Sequence, residues 1–336
     1  MSELSALLDA AEALASRGQP MALATVVATR GSTYRRAGAR LLIPAEGEPI
    51  GNISGGCLEG DVARIGRAVI ASGEARTVEF DMTADEDAVW GYGLGCNGAI
   101  ELFVEPTGGA LESVAALRSG QGSCLVIPLT GPDAGLHLVE ADGAAAAALH
   151  DGRPRVVEVD GARIYYEPLL PPLRLLICGA GHDAIPLVRQ AVELGWRVVV
   201  VDVRHALLTP ERFPGADFAD PDPVEAASSL AADERTTVVL MSHNYLRDIA
   251  YLRSFLPAPL AYLGVLGPRG RTEQMLAEIG QPAAIDRLFA PAGLDIGAEG
   301  AEEVAHAIIS EILAVIRGRR GEPLRERRGP IHGEAR

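Results

Sequence analysis

The hydrophobic positions of this chain fall into two regimes. Between Leu173 and Val201 they come as short unbroken runs on either side of a helical stretch. Before residue 170 they mix loose alternation with helical spacing. Leu173–Cys178 is too short for a helix and matches a strand buried on both faces. Ile185, Leu187, Val188, Ala191, Val192 and Leu194 then recur at helical spacing, and Gly195 stands where a helix stop belongs. Pro186 lies inside that pattern, which a helix tolerates only in its first turn, where N–H groups have no intrahelical partner. Val198–Val201 predicts the next strand, ending on Asp202. The rhythm continues with a helix opened by Asp222-Pro223 and running to Leu230, a strand Thr237–Met241, a helix Leu246–Phe255, a strand Leu260–Leu266 and an amphipathic helix Glu302–Ile316. Strands alternating with helices predict a Rossmann-like domain with a mostly parallel sheet of at least five strands.

The first half reads differently. Helical spacing over residues 3–16 ends at Gly18, and strands are predicted at Met21–Thr29, Ala39–Pro44 and Ile50–Ile53. A helix starting near Cys57 continues through Val62, Ile65, Val69 and Ile70, and strands follow at Thr77–Phe80 and Ile100–Val104. A helix Leu111–Leu117, a hairpin through Cys124–Leu129 and Leu136–Glu140, an Ala-rich helix to His150, and strands at Val156–Val159 and Arg163–Tyr166 complete it. The chain is therefore read as α/β: an N-terminal α+β domain, residues 1–170, followed by a Rossmann-like domain, residues 171–318. Leu170-Pro171-Pro172 forms a stiff linker between them, and an Arg-rich tail, residues 319–336, is expected to be disordered.

Composition narrows the chemistry. The 336 residues carry a net charge of −15, which argues against nucleic-acid or anionic-membrane binding. Lysine is absent, which excludes a P-loop and any lysine base or Schiff base. Aromatic residues are only 4%, so alanine and branched aliphatics must fill the core. No run of 18 apolar residues and no basic-then-apolar leader occurs, and the expectation is a cytoplasmic protein whose four cysteines are free thiols.

Three groups of residues carry candidate chemistry. The first is the strand-to-helix turn Gly179-Ala180-Gly181-His182, with Ala184 in the third small position and Asp202 placed 23 residues after Gly179. An acid there can accept hydrogen bonds from a ribose diol. The second comprises His243, at the carboxyl end of a predicted strand, and Arg269 and Arg271 at the end of the next. These are positions where open parallel sheets gather ligands, although His243 could equally cap a helix and the arginines could be a solvated turn. The third is a pair of glycine-rich loops, one with Gly55, Gly56, Cys57 and Glu59, the other with Gly95, Cys96 and Asn97. A loop bearing Arg30, Arg35 and Arg36 precedes them. A thiol at a helix start favours its thiolate, so Cys57 is a candidate nucleophile or sulfur ligand; its plain alternative is a small buried hydrophobe in a tight turn. Cys124 and Cys178 lie in strand-like runs and read as core. From the residues alone, an oxidoreductase using NAD(P) or FAD and a thiol-dependent transferase or hydrolase built on Cys57 both stay open.

The segments GSTYRRAGA, GNISGGCLEGDV, WGYGLGCNGAIELFVEP, CGAGH with its downstream Asp202, MSHN, GVLGPRGR and PAGLDIGAEGAEEVAHAI together resemble the xanthine dehydrogenase accessory factor (XdhC/CoxI) family. They span nearly the whole chain apart from residues 106–168 and the tail. The resemblance implies a chaperone more than a catalyst: it binds molybdenum cofactor (molybdopterin), aids its sulfuration and delivers it to the apoenzyme of a molybdenum hydroxylase such as xanthine or carbon monoxide dehydrogenase. A cysteine desulfurase as second partner and a homodimer are expected with it. Under this reading the cofactor lies between the two halves, Cys57 and Cys96 face its metal end, and Arg35 and Arg36, with Arg269 or Arg271, neutralise its phosphate. Tyr34, where the family pattern leads one to expect proline, and Pro186 depart from that pattern.

Overall fold

Strand β1 (Met21–Gly31) lies at the centre of the N-terminal half because both of its faces are apolar. Ala22, Ala24 and Val26 point to one side, Met21 and Leu23 to the other. The computed structural model describes residues 3–82, 98–119, 123–131, 134–135, 138–140, 143–282 and 285–327. Within them β1 joins β2 (Arg40–Pro44), β3 (Ile50–Gly51), β4 (Arg76–Asp81) and β5 (Gly98–Glu105) in an antiparallel sheet of order β3-β2-β1-β5-β4. Helices α1 (Glu3–Ser16) and α3 (Thr107–Ser119) cover one face through Leu7, Leu8, Ala11, Ala110 and Val114. Helix α2 (Glu59–Ser72) covers the other through Val62, Ala63 and Val69. Helix α3 begins four residues earlier than its apolar pattern suggested, where the Thr107 hydroxyl accepts from the Met21 N–H (3.1 Å) and donates to its carbonyl (3.0 Å).

A second antiparallel sheet has the order β7-β6-β9-β8, formed by β6 (Ser123–Pro128), β7 (Leu138–Glu140), β8 (Arg155–Val159) and β9 (Ala162–Leu169). Leu125, Ile127 and Tyr165 meet Val27 and Phe103 of the first sheet; the alternate positions Cys124, Val126 and Tyr166 pack on Ala145 and Ala148 of α4 (Gly143–Asp151). That period-two alternation gives both faces of the small sheet a partner.

The chain divides at Pro171/Pro172 into two compact units. In the C-terminal one, β10 (Arg174–Cys178), β11 (Arg197–Val201), β12 (Asp217–Ala219), β13 (Thr236–Leu240), β14 (Tyr262–Val265) and β15 (Leu288–Phe289) form an all-parallel sheet of order β12-β11-β10-β13-β14-β15. Helices α5 (Ala184–Glu193) and α9 (Ala301–Ile316) pack on one face, and α6 (Ala226–Ser229), α7 (Tyr245–Phe255) and α8 (Arg269–Glu278) on the other. Pro186 is the third residue of α5, inside the first turn, where its missing N–H leaves no bond unmade. The helix ends in a Schellman motif: Gly195 N–H to the Val192 carbonyl (2.9 Å) and Trp196 N–H to Ala191 (3.0 Å). The helix expected from Pro223 to Leu230 is shorter, because the Asp222 carboxylate accepts the Val224 N–H (3.0 Å) in a local turn and α6 starts only at Ala226. Strand order reverses between β10 and β13, which opens a crevice at their carboxyl ends.

Residues 319–327 carry a short helical turn at Leu324–Glu326; the rest of the tail, the loop Trp90–Asn97 and residues 136 and 137 of the expected hairpin lie outside the described residues. Among the described residues no helix is long and apolar enough to cross a membrane.

One buried ion pair ties the two N-terminal sheets together. The Arg40 guanidinium donates to the Glu167 carboxylate, and both side chains are almost wholly out of solvent. Tyr165 donates its hydroxyl to the same carboxylate (3.0 Å), and Arg40 Nη1 reaches the Gly38 carbonyl (2.7 Å). Burial and the adjoining Glu167 charge push the Tyr165 phenol well above its usual range, so it stays a neutral donor. Glu167→Ala leaves the Arg40 charge buried without its partner, and the expected loss is ~3–5 kcal/mol. Urea unfolding followed by circular dichroism checks this; an unchanged N-terminal transition contradicts it.

Candidate functional site

Residues 52–58 form a loop pinned at both ends and raised in the middle. Ile53 and Leu58 are fully buried in the core under α2. Between them Glu59, the first residue of α2, turns its carboxylate back over the loop. It accepts the N–H groups of Ile53 (3.1 Å), Ser54 (2.9 Å) and Leu58 (3.2 Å), and the Ser54 hydroxyl. Burial raises the Glu59 carboxyl, and these hydrogen bonds, led by Ser54, more than reverse that, leaving it below its usual value. The lone pairs of Glu59 are thus directed at the loop backbone. Gly55, Gly56 and Cys57 form the crest, and Cys57 is half-buried at the rim of the core. Gly55 adopts φ +121°, with the Tyr34 ring 3.5 Å from where a Cβ would stand. Tyr34 therefore brings the Arg30–Gly38 loop against the cysteine loop. Arg35 of that loop pairs with Glu3 (2.9 Å), and Arg36 is exposed. The Asn52 side-chain oxygen, beside the crest, is buried and has no hydrogen-bond partner among the described residues. Helix α2 starts two residues after Cys57, so the thiol precedes the helix N-terminus rather than occupying it. Gly95, Cys96 and Asn97 lie outside the described residues.

The second candidate region is the carboxyl edge of the parallel sheet. Gly179 has φ +136°, and a Cβ there would stand 2.6 Å from the Met241 carbonyl carbon, so the turn lies directly on the end of β13. Asp202 is buried and fully engaged. One oxygen accepts the Ala180 N–H (2.8 Å) and Arg204 Nη2 (2.7 Å); the other accepts the backbone N–H and Nε of Arg204 (both 2.9 Å). Burial pushes this carboxyl up, but the hydrogen bonds from Arg204 and Ala180 prevail and bring it down to about 2. The acid placed by its spacing to hold a ribose diol is occupied by a neighbouring guanidinium. Gly181 lies under the Asp183 carboxylate, which is hydrogen-bonded to His243 Nε2 at 2.6 Å. His243 is exposed and held at φ +55°, a conformation a non-glycine residue adopts at a cost. His182 is exposed on the same turn.

Arg271 is drawn into a different network. It pairs with the buried Asp248 (2.6 Å), which also accepts the Ser242 hydroxyl (2.6 Å), and its guanidinium lies over the Tyr245 ring. Arg269 is exposed at the start of α8. The ends of β10, β11, β13 and β14 thus gather Asp183, Asp202, His243 and Arg271 along one edge. Sequence patterns did not single out Asp183, Arg204, Arg212 or Arg247; the legible signal was the Asp-Val-Arg ending of β11, where a guanidinium two residues on can fold back onto the acid. A cavity of about 320 Å³ lined by Arg253, Leu256, Ile279 and Arg287 lies at the opposite, amino edge of the sheet, away from these groups. Among the described residues no three His, Cys, Asp or Glu side chains converge on a metal-binding point.

Comparison with known proteins gives this architecture relatives. Residues 175–312 match the XdhC Rossmann domain and residues 14–81 the XdhC and CoxI family. The chain is 31% identical over 90% of its length to a probable xanthine dehydrogenase subunit of Bacillus subtilis, covering 95% of that protein. It is 26% identical to the molybdenum cofactor insertion chaperone PaoD of Escherichia coli, over 91% of this chain and 86% of PaoD. A Bacillus halodurans crystal structure described as a xanthine dehydrogenase superposes with a TM-score of 0.75 at 28% identity, over 96% of this chain and 99% of that one.

Two outcomes follow from this geometry. Asp202 has a folded pKa below its ordinary 3.8, so its pairing stabilises the fold fully above that pH and is lost as the pH falls towards about 2. Acid unfolding of the wild type should therefore lose about 1–2 kcal/mol over that window that Asp202→Asn does not lose, after discounting for solvent screening. Parallel acid titrations of the two proteins would refute this. In a Cys96→Ser background, iodoacetamide should modify Cys57 in the native protein and leave Cys124 and Cys178, both fully buried, untouched until unfolding. Peptide mass analysis reads the order, and equal protection of all three would make Cys57 a packing residue.

Proposed function

The chain belongs to the XdhC and CoxI family, and from that premise we propose that it is an accessory factor of a molybdenum hydroxylase that carries molybdenum cofactor as cargo, aids its sulfuration and passes it to the apoenzyme. The observation that carries the proposal is the crest Gly55-Gly56-Cys57, held up by Glu59 bonding to the loop beneath it. Two residues without side chains let a bulky tricyclic pterin and its dithiolene approach the backbone, and the half-buried thiol offers a soft ligand or sulfur-handling group beside it. Glu59 acts here as a positioning residue, because its carboxylate is held by the loop. Kinship with a molybdenum cofactor insertion chaperone supports the cargo. The exposed Arg36, on the Arg30–Gly38 loop brought over by Tyr34, supplies positive charge that a phosphate-bearing ligand needs near an acidic protein.

The oxidoreductase alternative gains nothing from the site. Dinucleotide binding through Asp202 would have to expel Arg204, and the Asp183 carboxylate overlies the turn where a pyrophosphate would rest.

Purified protein incubated with cofactor released from a molybdoenzyme should retain pterin through gel filtration and restore activity to a cofactor-free molybdenum hydroxylase. Cys57→Ala together with Cys96→Ala should lower the restored, sulfur-dependent activity by about tenfold or more, while Cys124→Ala leaves it unchanged. Retention of no pterin, or full reconstitution by the double variant, would overturn the reading.

A further inference from the structure

The protein carries a net charge of −15, yet three arginines surround the glycine turn at the carboxyl ends of β10 and β11. Arg204 binds Asp202 through Nε and Nη2, which leaves Nη1 undirected, and its side chain is 44% exposed. Arg247, on the first turn of α7, approaches the same carboxylate only to 3.9 Å, too far for a hydrogen bond, so its donors are uncommitted there; it is 33% exposed. Arg212 reaches the turn from another direction, with Nη2 on the Ala180 carbonyl (3.2 Å), its guanidinium over the Phe213 ring, and a buried Nε that meets no acceptor among the described residues. Asp202 and Asp183, the latter hydrogen-bonded to His243, offset part of this charge and leave a positive remainder. Arginine does not shed its proton, so positive charge persists on a sheet edge that in open α/β folds faces the ligand.

We propose that Arg204, Arg212 and Arg247 form a seat for a phosphate monoester. In this arrangement Asp202 acts as the anchor that splays Arg204 outward and is not itself a ligand group. A phosphate group complements this positive edge, and its oxygens suit guanidinium forks. The site goes beyond the accessory role above and does not depend on it, since a nucleotide and the pterin cofactor both carry phosphate of this kind.

The test uses the full chain and calorimetry with adenosine 2′,5′-bisphosphate as probe and adenosine as the phosphate-free control. The bisphosphate should bind, weaken as salt rises, and lose about tenfold in affinity with Arg247→Gln, which keeps the Asp202–Arg204 pair intact. Arg212→Gln should do the same, and Arg253→Gln, on the far end of α7, should change nothing. Released molybdenum cofactor added to the complex separates the two sources: displacement of the bisphosphate assigns the seat to the pterin phosphate, and coexistence assigns it to a nucleotide. Adenosine binding as tightly as the bisphosphate, no binding of the bisphosphate, or equal affinities for wild type and Arg247→Gln would overturn the proposal. Failure here leaves pterin retention at the cysteine loop untouched, so the two readings are tested apart.

Discussion

Position 179 has no room for a side chain. The turn after β10 rests on the carbonyl of Met241 at the end of β13, and only glycine allows that approach while adopting φ +136°. Much of the C-terminal unit follows from this contact. It presses together the two strands at which the sheet order reverses, and it sets Ala180 where its N–H finds Asp202. It also brings Asp183 within reach of His243. Any larger residue would part β10 from β13 at the point where the polar groups of four loops assemble.

The N-terminal unit is organised by burial on both sides of one strand instead. Its β1 gives small residues to α2 and larger ones to α1 and α3, so a chain poor in aromatics still fills both layers. The exception is Arg40. Its charge is neutralised by Glu167 from the other sheet, and its Nη1 fixes Gly38, the last residue of the arginine loop. A buried ion pair of this kind contributes little net stability but leaves few alternatives for how its carriers pack. The loop that Tyr34 lays over Gly55 is therefore held from a point well inside the core.

Most of the C-terminal fold could be read from periodicity because its strands are continuous apolar runs bounded by glycine and acid, and α5 stops at Gly195. The strands expected at Leu173–Cys178 and Val198–Val201 pair in parallel, Leu175 beside Val198 and Cys178 beside Val201. Helix α6 could not be read, since Asp222-Pro223 serves a turn as well as a cap, and only tertiary packing decides between them. At the site, position was legible and partnership was not. Asp202 stands where its spacing says, but Arg204, two residues on, takes its lone pairs; Glu59 stands beside Cys57, but its hydrogen bonds run to the loop. Side-chain pairing across so short a separation depends on rotamers, which residue spacing does not record.

The parallel sheet ends in β12, three residues long, on one side and β15, two residues long, on the other. A foreign strand seeking backbone hydrogen bonds finds at most two or three peptide groups to copy on either border, less than one stable pairing requires. Runaway edge-to-edge polymerisation is thereby starved of a template. Whatever neighbours this unit recruits must recognise it through helical faces and loops, which is a surface that evolution can tune residue by residue.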